Sequence, residues 1–330
     1  MIYDEPKSCP YGGAFLMLMM PVDDELGIWI MKKIDLHMHS TCSDGTNTPT
    51  ELIKKVALAG IQMAALTDHD TIKGLDEAKQ TAKMVGVELI RGVEVSCTHT
   101  LSGGYGKHQE IDKIIHVVAL NFSDTLKMNK ALQSLQDSRH LRGRQMIQKL
   151  ASLLMKHPDE EPVLFEHLWQ KVLIKADGNA RAVGRAHIGQ VLYELGYVSS
   201  VQAAFDKYLA DNKLAYVPIQ TISMADTIAL IHECGGLAVL AHPTRYKLSA
   251  TRTQRLIGEF AQYGGDGCEL PNHEPLSCIE MVGRAIAKHG LAISLGSDFH
   301  GDTMPWRKLG STAVKSNDQI GIWERFGEIY

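Results

Sequence analysis

The sequence lacks the usual marks of a secreted or membrane-bound protein. Only six cysteines occur in 330 residues, and none of them form a CxxC pair. In a chain of this length, such spacing argues against a disulfide framework and indicates reduced thiols. The apolar run at Ala14–Val22 is too short to span a bilayer, and its acidic neighbours are unlike those of a signal peptide. We therefore expect a cytoplasmic protein that does not contact a membrane.

An excess of positive charge is also missing. Lys and Arg number 34 against 38 Asp and Glu, so the formal net charge is -4. Proteins whose main task is to hold long nucleic acid are usually basic. Binding of long DNA is therefore not expected. An anionic substrate would need a local concentration of positive charge, which bound metal ions can supply.

Short apolar runs alternate with amphipathic stretches, a rhythm typical of an α/β fold with a parallel sheet, most simply a barrel. The predicted strands are Ile34–Leu36, Met63–Leu66, Val87–Val95, Ile114–Leu120, Leu237–Ala241, Gly267–Leu270 and Leu291–Leu295, and predicted helices include Pro49–Ala59, Ala225–Cys234 and Cys278–His289. We assign residues 31–122 and 216–315 to the barrel and residues 123–215 to a helical insertion that caps it. Residues 1–30 are expected to be a poorly ordered extension or an over-long start.

Polar side chains recur where the predicted strands end or begin. They stand in His37-Met38-His39, with Asp44 in the loop that follows, Thr67-Asp68-His69-Asp70, Gly92-Val93-Glu94, His116, Ala241-His242-Pro243 and Ser297-Asp298-Phe299-His300. Each one alone has an ordinary explanation, such as the cap of the next helix or a histidine satisfied within the core. Together they would place many buried charges at the barrel mouth, at a cost of several kcal/mol each. Bound metal cations remove that cost, so we predict a metal centre.

These motifs resemble those of the PHP superfamily, named for polymerase and histidinol phosphatase. Within it, the chain is most similar to the group that hydrolyses nucleoside 3′,5′-bisphosphates and trims short RNA from the 5′ end. The resemblance implies a distorted seven-stranded (β/α) barrel with a helical insertion and two to three divalent metals. Mixed imidazole and carboxylate ligands suit manganese, iron or zinc better than magnesium or calcium. Manganese is the expected metal, with iron or zinc as alternatives.

The resemblance also implies which residues hold each metal. The first set is His37, His39, Glu94 and Asp298; the second is Glu94, His116 and His242; the third is Asp44, His69 and His300. A metal-bridged water would be held by Glu94, Asp298 and His242. His99 and His108 compete with His116 as the ligand, but we prefer His116 because it begins an apolar strand.

Arginines in the predicted insertion suggest where a phosphate would bind. Arg139 and Arg142 lie in an otherwise apolar helical stripe, and Arg185 stands at a helix start. Their stems could simply pack while their charged heads reach water, or they could hold a phosphate through paired hydrogen bonds. The predicted substrate-binding residues are Arg139, Arg142, Arg185, His187, Arg245 and Tyr246.

The sequence therefore predicts a phosphoesterase that acts on a small nucleotide or on short RNA. The expected reaction is removal of the 3′-phosphate of nucleoside 3′,5′-bisphosphates, with possible 5′-3′ exoribonuclease activity, and no obligate protein partner is expected. Two alternatives stay open. One is a metal-dependent amidohydrolase, which also begins with HxH on a barrel strand, and the other is a non-catalytic metal- or nucleotide-binding module.

Overall fold

Seven strands overlap the seven predicted apolar runs, although the strand predicted at Val87–Val95 continues past its predicted end to Leu101. The structure is a computed structural model that describes residues 18–21, 29–101, 110–302, 307–310 and 319–327. The strands are β1 Leu18–Pro21, β2 Trp29–Lys32, β3 Ile34–Asp35, β4 Met63–Leu66, β5 Glu88–Leu101, β6 Ile111–Leu120, β7 Ile222–Ser223, β8 Leu237–Leu240, β9 Gly267–Glu269 and β10 Ala292–Ser294. Strands β1 and β2 pair with each other, and the other residues of the predicted extension lie outside the described ranges.

Seven strands form one row in the order β10-β9-β8-β6-β5-β4-β3, with β7 paired to β5 outside it. Hydrogen bonds of 2.8 Å from Leu36 N–H to the Leu295 carbonyl and from His39 N–H to the Phe299 carbonyl join the two ends of the row. The sheet therefore curls into the distorted seven-stranded barrel that was predicted.

Strand β6 runs against its neighbours, which differs from the fully parallel sheet expected from the strand-helix rhythm. It pairs antiparallel with both β5 and β8, whereas the remaining pairs in the row are parallel. The reversal has a consequence for the site. It brings His116, which stands near the middle of β6, opposite Ser96 and close to the residues at the ends of the parallel strands.

The helices also agree with the sequence pattern. They are α1 Pro49–Leu58, α2 Leu75–Val85, α3 Thr125–Leu154, α4 Glu161–Lys175, α5 Arg185–Glu194, α6 Val201–Ala204, α7 Met224–Glu233, α8 Ala250–Gln262 and α9 Leu276–Lys288. Helix α1 begins with a capping box, in which the Thr48 hydroxyl accepts from Glu51 N–H and the Glu51 carboxylate accepts from Thr48 N–H. Among the helices in the described ranges, none is long and apolar enough to cross a membrane.

Two hydrophobic cores meet along α3. Its first half contributes Met128, Leu132 and Leu135 to the barrel core. Its second half, from Met146 to Leu150, belongs to a separate core with residues of α4 and α5. The predicted division at residue 123 stays a prediction, since this helix serves both cores. All five cysteines in the described part of the chain are free thiols.

Candidate metal centre

All nine predicted metal ligands lie at one end of the barrel. They follow β3, β4, β8 and β10, lie within the buried part of β5, or stand near the middle of the reversed strand β6. Three groups of their ligand atoms each lie within 4.8 Å of one another: His37, His39, Glu94 and Asp298; His69, Glu94 and His116; and His39, Asp44, His69 and His300.

The first group is fully buried around two facing imidazoles. The Nε2 atoms of His37 and His39 are 3.1 Å apart, and each is 3.2 Å from Oε2 of Glu94. Oδ1 of Asp298 lies 3.2 Å from His39 Nε2 and 3.5 Å from His37 Nε2. Four potential ligand atoms therefore converge on one small volume, as the predicted first metal requires.

Glu94 stands between the groups and presents a different oxygen to each side. Its Oε1 is 2.8 Å from His116 Nδ1 and 2.9 Å from His242 Nε2. Its Oε2 faces the first group and also lies 2.9 Å from His69 Nδ1. This is the arrangement expected of a carboxylate that bridges two metal ions.

In the third group, the histidines surround one carboxylate oxygen of Asp44. Its Oδ1 lies 3.3 Å from His300 Nε2 and 3.8 Å from His69 Nε2. His39 also approaches, with Nδ1 at 3.9 Å. The three predicted ligands of the third metal are therefore together, with His39 between them and the first group.

Backbone geometry at two ligands is uncommon. His242 and Asp298 have φ of 28° and 52°, in the left-handed region that residues other than glycine rarely occupy. Such strain persists where surrounding structure enforces it, and it concentrates at functional sites. Gly296 permits the close approach of this segment, because a Cβ there would lie 2.4 Å from that of His37.

Without metal, protons must balance the carboxylates. Burial alone lowers the pKa of His39, but its contacts with Asp298 and Glu94 raise that pKa to about 9. Burial also opposes protonation of His37, yet Glu269 and Glu94 raise its pKa well above the usual value. Burial lowers the pKa of His69 to about 4. In the metal-free centre, the neighbouring carboxylates therefore favour positive charge on the His37 and His39 pair.

The pKa values of Glu94 and Asp44 are shifted downward by the same contacts. Burial tends to raise the pKa of Glu94, but the surrounding imidazoles, led by His69 and His116, hold it well below its usual range. His300 and His69 lower the pKa of Asp44 in the same way, against the effect of burial. Several atoms of the cluster are nevertheless unsatisfied. Asp44 Oδ1, His69 Nδ1 and Glu94 Oε2 are buried without a hydrogen bond, and the 2.9 Å approach of the last two lacks suitable geometry.

Divalent metal ions fit this donor set. Buried polar atoms normally have partners, and mixed imidazole and carboxylate ligands are typical of transition metals. A cation at each group would bind the unsatisfied atoms and take the place of the protons on His37 and His39. The residues present are therefore compatible with the predicted two to three metals.

Sequence reasoning missed the side chains that hold these ligands in place. Glu269, at the end of β9, has Oε1 2.6 Å from His37 Nδ1, and its Oε2 accepts from His242 N–H at 2.7 Å. Arg307 donates to Asp298 Oδ2, which lies 2.7 Å from its Nη1. A carboxylate at the end of a buried strand was the signal used for Glu94, and it could have revealed Glu269.

The two aspartates beside His69 in the Thr67–Asp70 motif are part of the scaffold. Asp68 accepts from the backbone and hydroxyl of Ser40 and from the Ser43 hydroxyl, each at 2.7 Å. Asp70 accepts from Ser96 N–H. Only His69 of this motif approaches the other eight predicted ligands.

The structure places the competing histidine His99 away from the centre. Its Nε2 lies 2.5 Å from a carboxylate oxygen of Glu259, on α8. His116 is the residue that contacts Glu94, in agreement with our preference. His108 lies outside the described residues.

Arg139 has a different partner from the one expected. Its Nε is 2.5 Å from Asp70 Oδ2 and its Nη2 is 2.8 Å from the Ser96 hydroxyl, and the side chain is buried. This geometry fits neither of the two interpretations drawn from the sequence, in which the charged head of Arg139 reaches water or binds a phosphate. The guanidinium instead ties α3 to the strand ends of the barrel, because Asp70 and Ser96 both come from that region.

The other predicted substrate residues lie closer to the mouth. Arg142 donates from Nε to the Val217 carbonyl at 2.9 Å, and burial together with Arg185 and Arg139 lowers its pKa to about 9. Arg185 lies 3.1 Å from Asp211. His187 is buried, and its Nδ1 accepts from Gly184 N–H at 3.2 Å.

Two residues after β8 complete the predicted set. Arg245 contacts Asp298 Oδ2 directly. The Tyr246 hydroxyl donates to the Ala241 carbonyl and accepts from His116 N–H, both at 2.9 Å. The hydroxyl proton is therefore used within the protein, and Tyr246 lines the cavity without a proton to donate to a ligand.

The centre opens into a cavity of about 1330 Å³ between the barrel and the inserted helices. His116, His242, Arg245, Tyr246 and Arg307 line its barrel side, and Arg185 and His187 line the opposite side. The start of α5 reaches the metal ligands, because a Cβ on Gly184 would lie 3.5 Å from Asp44. Four of the six predicted substrate residues thus line one cavity, and Arg139 and Arg142 do not.

Comparison with known proteins gives the family. A model of the PHP domain matches residues 35–215. The chain belongs to the PHP domain family. It is 37% identical to a 5′-3′ exoribonuclease of Haemophilus influenzae over 89% of this chain and 99% of that one. It is 34% identical to a 3′,5′-nucleoside bisphosphate phosphatase of Chromobacterium violaceum over 86% of this chain and 92% of that one.

Solved structures of this PHP protein's relatives show the same fold. A structure from Chromobacterium violaceum, described as an amidohydrolase with bound sulfate and no metal, has 32% identity and a TM-score of 0.76 over 90% of this chain and 96% of that one. A second, from Bifidobacterium adolescentis, has 24% identity and a TM-score of 0.70 over 90% and 95%. The predicted family, fold and enzyme class, a hydrolase of phosphate esters, are confirmed. The individual roles of the site residues stay predictions.

Proposed function

We propose that this protein is a metal-dependent phosphoesterase that removes the 3′-phosphate of nucleoside 3′,5′-bisphosphates and trims short 5′-phosphorylated RNA from its 5′ end. The observation that carries the proposal is a metal centre that opens into a cavity lined by arginines. The names of the relatives from Haemophilus influenzae and Chromobacterium violaceum support the same two substrates. We place the enzyme in the reducing cytoplasm, in keeping with its free thiols.

The nine ligands would hold two to three divalent ions, with manganese favoured over iron and zinc. Glu94 would bridge the first and second sites through its two oxygens. When bound, such ions polarise phosphoryl oxygens and acidify water at neutral pH. The chain's own residues keep the ligand atoms in position, since Glu269 fixes His37 and Arg307 fixes Asp298.

Positive side chains around the cavity would bind the phosphate that does not react. Seven Lys or Arg residues line it against three Asp or Glu residues, apart from the carboxylates of the metal centre. This local excess of positive charge occurs in a chain with a net charge of -4. Charge-assisted hydrogen bonds from arginine suit a phosphate group. The cavity therefore has the charge expected for an anionic substrate.

Arg142 and Arg185 are the pair best placed for that phosphate. Burial and the neighbouring Arg185 lower the pKa of Arg142, so an anion beside the two guanidinium groups would relieve their repulsion. Gly184 begins α5 beside Asp44, so the free N–H groups of this helix start add to the anion site. His187 accepts at Nδ1, which leaves its protonated Nε2 to donate to a substrate oxygen.

The metal-dependent amidohydrolase remains the competing enzyme. The Chromobacterium violaceum neighbour carries that description, yet it binds sulfate, which has the shape and charge of phosphate. In this chain, Glu94 takes the central position where an amidohydrolase would normally have a modified lysine. A non-catalytic metal- or nucleotide-binding module is the third hypothesis. The complete set of nine predicted ligands argues against it.

Phosphate release from adenosine 3′,5′-bisphosphate tests the proposal. The protein is stripped with a chelator, reloaded with Mn²⁺ and assayed beside a panel of amide substrates. We expect phosphate and adenosine 5′-monophosphate, both dependent on metal. Release of the 3′-monophosphate would reverse the assignment of the two phosphates. Amide hydrolysis alone would favour the amidohydrolase, and metal binding without any turnover would favour the binding module.

Arg185→Ala tests how the second phosphate is held. Charge-assisted bonds to phosphate contribute about 1.5–3 kcal/mol, so kcat/KM on the bisphosphate should fall roughly ten- to a hundred-fold relative to that on an aryl phosphate. Arg181→Ala is the matched control, because Arg181 pairs with Asp137 on the exposed surface. An equal loss on both substrates would mean that Arg185 serves the reacting phosphate or the fold.

A further inference from the structure

The lysine and arginine side chains that line the cavity differ in whether they already have an acidic partner. Four of them form ion pairs, which are Arg245 and Arg307 with Asp298, Arg185 with Asp211, and Lys175 with Glu194. The other three, Lys113, Lys213 and Lys247, form no ion pair within the described part of the chain. A cation without an acidic partner beside a cavity is available to an anionic ligand.

Two of these three lysines, Lys113 and Lys247, lie on the barrel side of the cavity. Lys113 precedes the metal ligand His116 by three residues of β6, which is about 10 Å along the strand. Lys247 follows Tyr246, whose hydroxyl accepts from His116 N–H at 2.9 Å and so holds the two segments together. The acidic residues among the described lining of the cavity all belong to the insertion, and they are Glu194, Asp206 and Asp211. Apart from the metal ligands, the described barrel side therefore carries positive charge alone.

The proposed function fixes the direction in which an RNA would cross the metal centre. The 5′-phosphate of the first nucleotide would lie near Arg185, and the phosphodiester that follows this nucleotide would be the one hydrolysed at the metals. The second nucleotide is attached to the far side of that phosphodiester, so it cannot share the space toward α5. It would leave the metal centre along the barrel side, where Lys113 and Lys247 line the cavity.

We propose that Lys113 and Lys247 bind the phosphodiester one nucleotide beyond the reacting one, and so hold the downstream part of a short RNA. The proposal rests on the proposed function and adds a binding site for the part of the chain that remains after hydrolysis. Lysine ammonium groups bind backbone phosphates without regard to base sequence. A nucleoside 3′,5′-bisphosphate ends at its reacting phosphate and does not extend to these lysines.

Substrate length tests the proposal with the double variant Lys113→Ala/Lys247→Ala. Parent and variant are loaded with Mn²⁺ and assayed on adenosine 3′,5′-bisphosphate and on 5′-phosphorylated oligoadenylates of two and three nucleotides. Among these substrates, only the trimer has a phosphodiester one nucleotide beyond the reacting one. Because contacts of exposed lysines are weak singly, loss of both should lower kcat/KM on the trimer, relative to the dimer, by about three- to thirty-fold.

Lys213→Ala is the matched control, because Lys213 is the third lysine without an ion pair but belongs to the insertion. Its ratio of kcat/KM on the trimer to that on the dimer should equal the parent ratio. An unchanged ratio in the double variant, or an equal loss in Lys213→Ala, would overturn the proposal.

The salt dependence of binding gives a readout that is independent of catalysis. Fluorescence anisotropy measures the binding of labelled trimer to chelator-treated protein at increasing salt concentration. Each neutralised phosphate of a single strand contributes about 0.7 to the slope of log K against log salt, and the double variant should lose about that much. A slope equal to that of the parent would contradict the phosphate contact. If the parent hydrolyses none of the substrates, the proposed function fails, while the slope still decides whether the two lysines bind RNA.

Discussion

Replacing Glu269 by glutamine tests whether the carboxylate behind His37 organises the metal centre. One oxygen lies 2.6 Å from His37 Nδ1, and the other accepts from His242 N–H at 2.7 Å. The carboxylate therefore keeps the proton of His37 on Nδ1 and leaves Nε2 for a metal. Glutamine offers one acceptor and one donor at these positions. In either orientation of its amide, one of the two contacts loses its acceptor.

The expected loss can be estimated in two ways. A charge-assisted hydrogen bond contributes about 1.5–3 kcal/mol, which corresponds to roughly ten- to a hundred-fold in a binding constant. Substitutions of residues that hold metal-bound histidines typically cost about 10–100-fold in metal affinity or activity. The two ranges agree. We therefore expect Mn²⁺ affinity of Glu269→Gln to fall about 10–100-fold, with much of the activity recovered at saturating metal.

Calorimetric titration of chelator-treated protein with Mn²⁺ measures this directly. Glu259→Gln is the matched control, because Glu259 also pairs with a histidine, His99, but away from the metal centre. Its metal affinity should equal that of the parent. Affinity of a folded Glu269→Gln protein within two-fold of the parent would refute the reasoning, as would an equal loss in Glu259→Gln.

Two further predictions concern the centre itself. Asp298→Asn should abolish phosphate release, since Asp298 supplies an oxygen to the first group, while circular dichroism shows a folded chain; near-normal turnover would place the reaction elsewhere. The free energy of unfolding of the metal-free protein should fall as pH rises from about 6.5 to about 9. The reason is that the pKa of His39 is 6.5 in the unfolded chain and is raised to about 9 in the folded protein. The stabilisation is complete below 6.5, amounts to roughly 3 kcal/mol, and is lost above 9. Thermal melts with chelator should show this decline and melts with Mn²⁺ should not, whereas parallel curves would contradict the charge balance described above.

Most of the predicted ligands were recognisable because a polar residue stands close to the end of an apolar run. His39 follows β3, His69 follows β4 and Asp298 follows β10, and the ends of parallel strands meet at one edge. The direction of β6 could not be predicted in this way. An apolar run has the same pattern in either direction. The sequence predicted that His116 begins an apolar strand, but it did not show that this part of β6 faces the ligands.

The partner of Arg139 could not be predicted, for a physical reason. Helical spacing identifies the face on which Arg139 lies, but it does not identify the partner on the opposing element. That partner, Asp70, comes 69 residues earlier in the chain. Contacts between distant segments decide such cases, and a single sequence does not contain them.

Arg139 has a structural role that connects the two halves of the site. Its buried pair with Asp70 fixes α3 one residue away from the ligand His69. The same helix continues into the second core, where it carries Arg142. The distance between the metals and the proposed phosphate site is therefore set by one continuous helix anchored at both ends. The distance between the two phosphates of a substrate should therefore affect its reactivity directly. Positioned groups accelerate a reaction only when the reacting atoms are held in the correct relative position.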